Sequence, residues 1–252
     1  MTTHLVTFSD SSMSRSAELC LTSGLSHGCD TAVLKHSFLA TAERGCGFWR
    51  WKPEIILSRM AEAQDGDILI YADAGIEFID NINYIIDRAD QDIFLFGNMY
   101  EHAHWCKRDI VEAIWPLRND NGSIGATLGA TSKEHIEWAR FGKQVQASVI
   151  FFRVNDKTRA FVKEWLDWCL FEGGRLIDDS PSRLPNHPEF QENRHDQAIL
   201  TTLAYRDGIP LNWWPAVYND GAFIYPRGEY KDEGYPALFH HHRGVKTGER
   251  TA

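Results

Sequence analysis

The sequence predicts an α/β layer fold, and three observations carry that expectation. Short apolar runs alternate with longer segments of helical period along the 252 residues. The run Asp67-Ile-Leu-Ile-Tyr-Ala-Asp73 is apolar almost throughout, as a central strand covered on both faces must be. A second strong run spans Ala147 to Val154.

Taken in order, His4 to Phe8 reads as the first strand, ending in the polar cluster Ser9-Asp10-Ser11-Ser12. A helix is expected from about Ser14 to His27, then a strand from Thr31 to His36. Pro53 opens a helix to Ala63, because a first turn does not need the N–H that proline lacks. Ile55, Ile56, Arg59, Met60 and Ala63 fall on one of its faces. After the central strand, Asp73-Ala-Gly75 permits a sharp turn, and Asp92 to Gly97 forms another strand. Ile110, Val111, Ile114 and Trp115 mark a helix stopped by Pro116, and residues 119–131 read as a loop. Thr158 to Phe171 is amphipathic, with Phe161, Val162, Trp165, Leu166 and Cys169 inward. Residues 173–194 hold three prolines and little periodicity, which marks a functional, mobile loop. Asn193 is placed to cap the helix His195 to Tyr205, which Gly208 and Pro210 stop. A tail over residues 226–252 follows, and residues 1–252 read as a single domain.

Composition narrows the function. Lys and Arg number 26 against 35 Asp and Glu, a formal net charge of −9, so the basic field of a nucleic-acid binder is missing. The five cysteines include no C-x-x-C pair, which disfavours a zinc or disulfide framework and fits a reducing compartment. No secretory signal opens the chain, and no apolar run nears the roughly 20 residues that span a bilayer. A cytoplasmic protein without a membrane span is therefore expected. Phosphate-loop, Gly-x-Gly-x-x-Gly and Gly-x-Ser-x-Gly motifs are absent, which disfavours ATPases, dinucleotide oxidoreductases and α/β-hydrolases.

The chemistry-bearing residues begin with Asp73. In open α/β sheets ligands bind at the carboxyl ends of strands, where a carboxylate can hold a divalent cation against a diphosphate. Asp73 can equally be a strand end that caps its own turn. A hydrophobic strand closing on an Asp-x-Asp-like motif, after a first strand near the N-terminus, resembles the GT-A-fold nucleotide-sugar glycosyltransferases. The resemblance extends from about His4 to His242 and implies a central mixed, mostly parallel sheet with helices on both faces. The third motif position is Gly75 here, so Asp73 would need another ligand, such as Glu77 or a late histidine, or the enzyme would manage without tight metal binding.

Further matches follow the same resemblance. Gly45-Cys-Gly-Phe-Trp-Arg50-Trp-Lys52-Pro53 is a Gly-rich turn with cations at a helix start, a good setting for a diphosphate. Arg50 or Lys52 stands where such enzymes place a donor-binding base, and Trp49 and Trp51 either stack on the donor or belong to the core. Asp196 and Gln197, opening a helix, are similar to the Asp-Gln pair of retaining family 8 enzymes; there the aspartate binds sugar hydroxyls and the amide lies near the anomeric carbon. In those enzymes a late histidine completes the metal site and a basic residue follows. His240 to His242 with Lys246 resemble that arrangement, and alternation puts His240 and His242 on one side. Ser9 and Asp10, at the first strand end, would meet the nucleotide.

These readings imply a glycosyltransferase that moves a sugar from a nucleotide-diphosphosugar, UDP-sugar favoured, to a glycan or other hydroxyl acceptor. It would be retaining and assisted by Mn²⁺ or Mg²⁺, and the acceptor is open among polysaccharide, lipid-linked glycan and protein. The alternatives are a non-catalytic carbohydrate-binding protein and a sugar nucleotidyltransferase. The latter lacks its glycine-rich loop, since Ser9 to Arg15 has no glycine.

Overall fold

The computed structural model describes residues 1–87, 90–116, 138–218 and 236–242. In chain order these form β1 (Thr3–Thr7), α1 (Ser14–Ser26), β2 (Thr31–Leu34), α2 (Trp51–Glu62), β3 (Ile68–Ala72), β4 (Ile76–Phe78) and β5 (Ile93–Glu101). Then come α3 (Arg108–Ile114), β6 (Lys143–Val145), β7 (Val149–Arg153), α4 (Asp156–Leu170), α5 (His195–Arg206), β8 (Leu211–Asn212), β9 (Ala216–Tyr218) and β10 (Phe239–His241). The expected loop at 119–131 lies outside the described residues, as do all but residues 236–242 of the tail.

The main sheet has the order β2-β1-β3-β7-β5-β6, with β8 paired to β5. β1, β2 and β3 are parallel neighbours, β7 runs against β3 and β5, β6 runs against β5, and β8 is parallel to β5. All but β6 and β7 therefore point the same way, which brings the ends of β1 and β3 to one rim. β10 pairs antiparallel with β4 and parallel with β9 to make a second, three-stranded sheet. β4 is too short to announce itself by alternation in the sequence.

Strand alternation divides the core in two. Leu69 and Tyr71 of β3 face a layer built by α2, α3, α4 and α5, including Ile55, Ile110, Trp165 and Ile199. Ile68, Ile70 and Ala72 face the opposite way, onto Cys20 of α1 and the small sheet with Phe78, Trp214 and Phe239. β3 is buried along its whole length, as its unbroken apolar run requires.

Local chemistry fixes the helix starts. Asn155 caps α4, its side chain accepting from Thr158 N at 2.9 Å while Thr158 Oγ1 accepts from Asn155 N at 3.1 Å. Asn193, expected to cap α5, does something else. Its Oδ1 accepts from Lys107 N at 3.4 Å and its Nδ2 donates to Leu176 O at 2.9 Å. The side chain staples the irregular 173–194 segment to the start of α3, and the position before α5 falls to Arg194. Asp109 anchors the same segment further along, accepting from Arg183 N, Leu184 N and the Arg175 guanidinium.

The packing of α1 on β1 yields a prediction. A Cβ on Gly24 would stand 2.4 Å from Leu5 Cδ2, with Cys29 Sγ and the Phe78 ring close behind. Alanine gains about 1 kcal/mol of helix propensity over glycine, but overpacking a filled core costs about 1–3 kcal/mol. Overpacking wins because Leu5 is fully buried. Gly24→Ala is expected to lower unfolding stability by about 1 kcal/mol in urea titration, and an unchanged or higher midpoint would contradict this packing.

Candidate active site

Asp73 follows β3 directly, and its backbone N–H donates to Ser148 O at 2.8 Å. The buried Tyr71 hydroxyl donates to Asp73 Oδ1. Burial, followed by the nearby Asp73 carboxylate, pushes the Tyr71 phenol well above its ordinary range, so it stays a donor.

Lys52, in the first turn of α2, sends its side chain into the same place and is 3% exposed. Its Nζ lies 3.4 Å from Asp73 Oδ1 and 3.3 Å from Asp196 Oδ2, and donates to Ala147 O at 3.1 Å. The ammonium also stands 5.1 Å from the centre of the Tyr71 ring. Burial pulls the Lys52 pKa down, but the two carboxylates outweigh it and leave the pKa raised. Lys52 is therefore a fixed cation.

Asp196 and Gln197 occupy the first turn of α5. Burial pushes the Asp196 carboxyl up to about 6; Lys52 opposes the shift and Asp73 adds to it. Gln197 Nε2 donates to Gln144 Oε1 at 2.7 Å. The Gln144 amide in turn reaches His102 Nδ1 at 3.3 Å and Trp105 O at 3.2 Å. Burial holds the His102 imidazole neutral, with a pKa of about 3. His195 begins α5 with a left-handed φ of 54°, and its Nδ1 contacts Ile177 O at 2.6 Å. That carbonyl can only accept, so Nδ1 carries the proton and Nε2 keeps its lone pair.

The Gly-rich turn is the most unusual backbone here. Gly45, Cys46, Gly47, Phe48 and Trp49 all have positive φ, between 55° and 99°. They make a left-handed turn that reverses the chain into α2. The turn is tied by Trp49 N to Gly45 O at 3.3 Å and Trp51 Nε1 to Gly45 O at 2.9 Å. Trp49 stacks on His195 with ring centres 5.2 Å apart. Arg50 is spent on the turn itself, donating to Gly47 O at 2.9 Å and pairing with Glu43. The structure thus separates the two basic candidates: Lys52 joins Asp73 and Asp196, whereas Arg50 braces the loop.

Two adjoining cavities open at this rim. The larger, about 430 Å³, is lined by residues including Phe8, Ser9, Asp10, Cys46, Trp51, Asp73, Gly75 and His241. The smaller, about 150 Å³, is lined by residues including Arg44, Lys52, Arg194, His195, Asp196 and Gln197. Trp49, Asp73 and Ser148 line both. A larger cavity of about 510 Å³, bounded by Asp92, Lys157, Phe161 and Pro210, lies at the beginning of β5 and β8, away from this chemistry. Asp10 reaches the 430 Å³ cavity while its Oδ1 accepts from Ser12 N, Ser12 Oγ and Met13 N, bonds that hold its carboxyl low.

The histidines divide between two sides of β10. His240 and His242 lie together, their rings 5.8 Å apart, with His240 Nδ1 2.9 Å from Glu77 Oε2. His241 lines the cavity that holds Asp73. Lys246 lies outside the described residues. Sequence reasoning also missed Gln144 and Ser148, which carry no motif and reach the site only through strand pairing.

Asp73 and His241 supply one carboxylate and one imidazole to a single cavity. That mixed set fits a first-row ion such as Mn²⁺ better than Mg²⁺, which prefers oxygen ligands alone; water and phosphate oxygens would complete the shell.

No family model matches the chain, and no curated protein matches it. Solved structures do. The galactosyltransferase LgtC, determined with donor and acceptor sugar analogues, superposes over 98% of this chain and 90% of its own, with TM-score 0.50 and 15% identity. The bifunctional glycosyltransferase WbbM superposes over 97% of this chain and 46% of its own, with TM-score 0.50 and 13% identity. A glycosyltransferase involved in the glycosylation of the major capsid of PBCV-1 covers 96% of this chain and 93% of its own, with TM-score 0.48 and 11% identity. The fold is the GT-A glycosyltransferase fold, here with Lys52, Asp73 and Asp196 at the rim where its central strands end. Among the described residues no helix is long and apolar enough to cross a membrane.

The raised carboxyl of Asp196 has a stability consequence. The folded state holds its proton up to about pH 6, the unfolded state only to about 3.8. Stability from this group is therefore full below the lower value and lost as pH climbs to the upper one, about 3 kcal/mol in all. The stability difference between wild type and Asp196→Asn is expected to fall across that interval and stay flat above it. A difference independent of pH would show that Asp196 is not buried in this way.

Proposed function

We propose that the protein transfers a sugar from a nucleotide-diphosphosugar, UDP-sugar favoured, to a hydroxyl of a glycan-type acceptor, with retention at the anomeric carbon. One observation carries the reading: the buried Lys52 ammonium holds Asp73 and Asp196 together where the 430 Å³ and 150 Å³ cavities meet. The larger cavity suits the nucleotide, with Ser9 and Asp10 offering acceptors to ribose or base and Trp49 offering aromatic surface, while Trp51 is a core residue stacked on Phe8. The smaller suits the sugar, with Asp196 accepting from its hydroxyls and Gln197 beside the anomeric carbon. The diphosphate then spans the Asp73 side.

A divalent cation, Mn²⁺ or Mg²⁺, held by Asp73 and His241, would withdraw charge from the departing diphosphate. The chain's own groups orient the reaction. Lys52 keeps Asp196 ionised and aimed, and Gln144 fixes the Gln197 amide. In the retaining path the bond from the anomeric carbon to phosphate breaks. The acceptor oxygen bonds on that same face, and its proton passes to the departing phosphate oxygen.

The inverting path has one specific support, the His195 Nε2 lone pair at the smaller cavity, which could serve as a general base. Product analysis by NMR separates the two. Retention is expected, and an inverted product would move the chemistry to His195.

Thermal unfolding against UDP-, GDP- and CMP-sugars, with and without Mn²⁺, tests the donor site. A UDP-sugar is expected to raise the midpoint, by about 2.7 kcal/mol of stability at a hundredfold excess over its dissociation constant. The shift should depend on Mn²⁺ and vanish in Asp73→Ala. If no nucleotide-sugar shifts the midpoint but a glycan does, the protein is a carbohydrate-binding module instead. Release of pyrophosphate from a nucleoside triphosphate and a sugar phosphate would identify a nucleotidyltransferase.

A further inference from the structure

A second constellation of ligand-type side chains stands apart from the donor cavities. One nitrogen each of His104 and His187 and a carboxylate oxygen of Glu189 all lie within 4.8 Å of one another. His104 closes the short 3-10 turn after β5, whereas His187 and Glu189 belong to the irregular 173–194 segment. The His104 and His187 rings are 5.2 Å apart, and His104 Nε2 is 2.9 Å from Glu189 Oε2. Glu189 N donates to His187 Nδ1 at 3.1 Å, and Trp138 packs edge-on against the His187 ring, 5.9 Å between centres.

We propose that His104, His187 and Glu189 form a divalent transition-metal site, best suited to Zn²⁺, that clips the 173–194 segment to the turn after β5. Two imidazoles and one carboxylate are a borderline-soft set that suits zinc over Mg²⁺ or Ca²⁺. A tetrahedral zinc with bonds of about 2.0–2.1 Å needs ligand atoms about 3.3 Å apart. Side-chain rotation would bring the three groups to that spacing, with His187 giving up its bond from Glu189 N and water taking the fourth position. Both histidines are half-buried and their backbone is already fixed. Gln191 N donates to His104 O at 2.8 Å, Arg108 N to Asn186 Oδ1 at 2.9 Å and Arg194 N to Trp105 O at 3.1 Å. Little chain entropy remains to be lost on binding. The exposed Glu189 carboxylate is the arm that completes the set.

The clip would act on the donor site from a distance. The same segment carries Asp178, paired with Lys107 Nζ at 2.9 Å, and Ile177, whose carbonyl holds His195. It runs directly into α5 and so into Asp196. Fixing residues 187 and 189 fixes the approach to the smaller cavity without touching it.

Calorimetric titration of the chelator-stripped full chain with ZnCl₂ tests the site, and needs neither donor nor activity. One zinc per chain is expected in the wild type and in Asp73→Ala. Both His104→Ala and Glu189→Gln are expected to weaken it by roughly tenfold or more. Glu189→Gln is exposed and keeps the fold, so its result stands even if His104→Ala misfolds. Absence of zinc binding would overturn the proposal. So would binding that Glu189→Gln leaves unchanged, or binding lost in Asp73→Ala.

Discussion

A buried ammonium between two carboxylates is the interaction on which the rest of this rim depends. Lys52 is drawn from α2, Asp73 from the end of β3 and Asp196 from the start of α5, three elements far apart in sequence. Among the described residues neither carboxylate pairs with another cationic side chain. Removing Lys52 would strand the buried Asp196 carboxylate, and breaking a buried pair of this kind costs about 3–5 kcal/mol. Replacing all three with apolar groups can be neutral or better. Their retention therefore makes more sense as orientation of charge in a site than as stability.

Delivering Lys52 inward carries its own cost. α2 can begin at Trp51 only because the chain has just turned left-handed through Gly45 to Trp49. Two of those five positions are glycine; Cys46, Phe48 and Trp49 are not, and each such residue costs about 1–2 kcal/mol. The surroundings offset that strain with specific contacts: the Trp51 indole on Gly45 O, the Arg50 guanidinium on Gly47 O, and Trp49 on the His195 ring. His195 is itself left-handed, so two strained segments meet at the smaller cavity. Strain held this way is the usual mark of a preorganised site.

Much of the fold was legible in the sequence because it is local. β3 was readable from an unbroken apolar run, and α4 from the 3.6-residue spacing that ends in Trp165 and Cys169. Asp73 was readable as a strand end. What escaped was non-local. Nothing in Gly-Cys-Gly-Phe-Trp announces a left-handed turn, since three of the five residues disfavour it. Arg50 and Lys52 are two residues apart and chemically alike, yet a helix start sends one inward and leaves the other on the loop. The histidines make the same point. Alternation groups His240 with His242, but which side of β10 meets the cavity is set by its pairing with β4, a three-residue strand. Asn193 was positioned to cap and instead bridges two segments.

Charge at the rim argues for the shape of the proposed donor site. Lys52, Asp73 and Asp196 sum to one negative charge near neutral pH, and a nucleoside diphosphate carries at least two more. Bringing them together in a half-buried cleft is unfavourable unless cations stand close by. Among the described cavity residues those cations are Arg44 and Arg194, both at the smaller cavity. Arg44 stands 3.8 Å from Asp179 and 3.5 Å from Glu192, and the Arg194 guanidinium lies over Trp105 with its Nε 3.4 Å from Glu192. Both arginines share the smaller cavity with Asp73, but neither lines the larger one that Asp73 also borders. Among the described residues no lysine or arginine lines the larger cavity, so a diphosphate there would need positive charge from elsewhere. The divalent cation proposed on Asp73 and His241 would supply it beside the leaving diphosphate. Gly75 offers no second carboxylate to that cation, which would leave the diphosphate charge to it and leave Lys52 to hold Asp196.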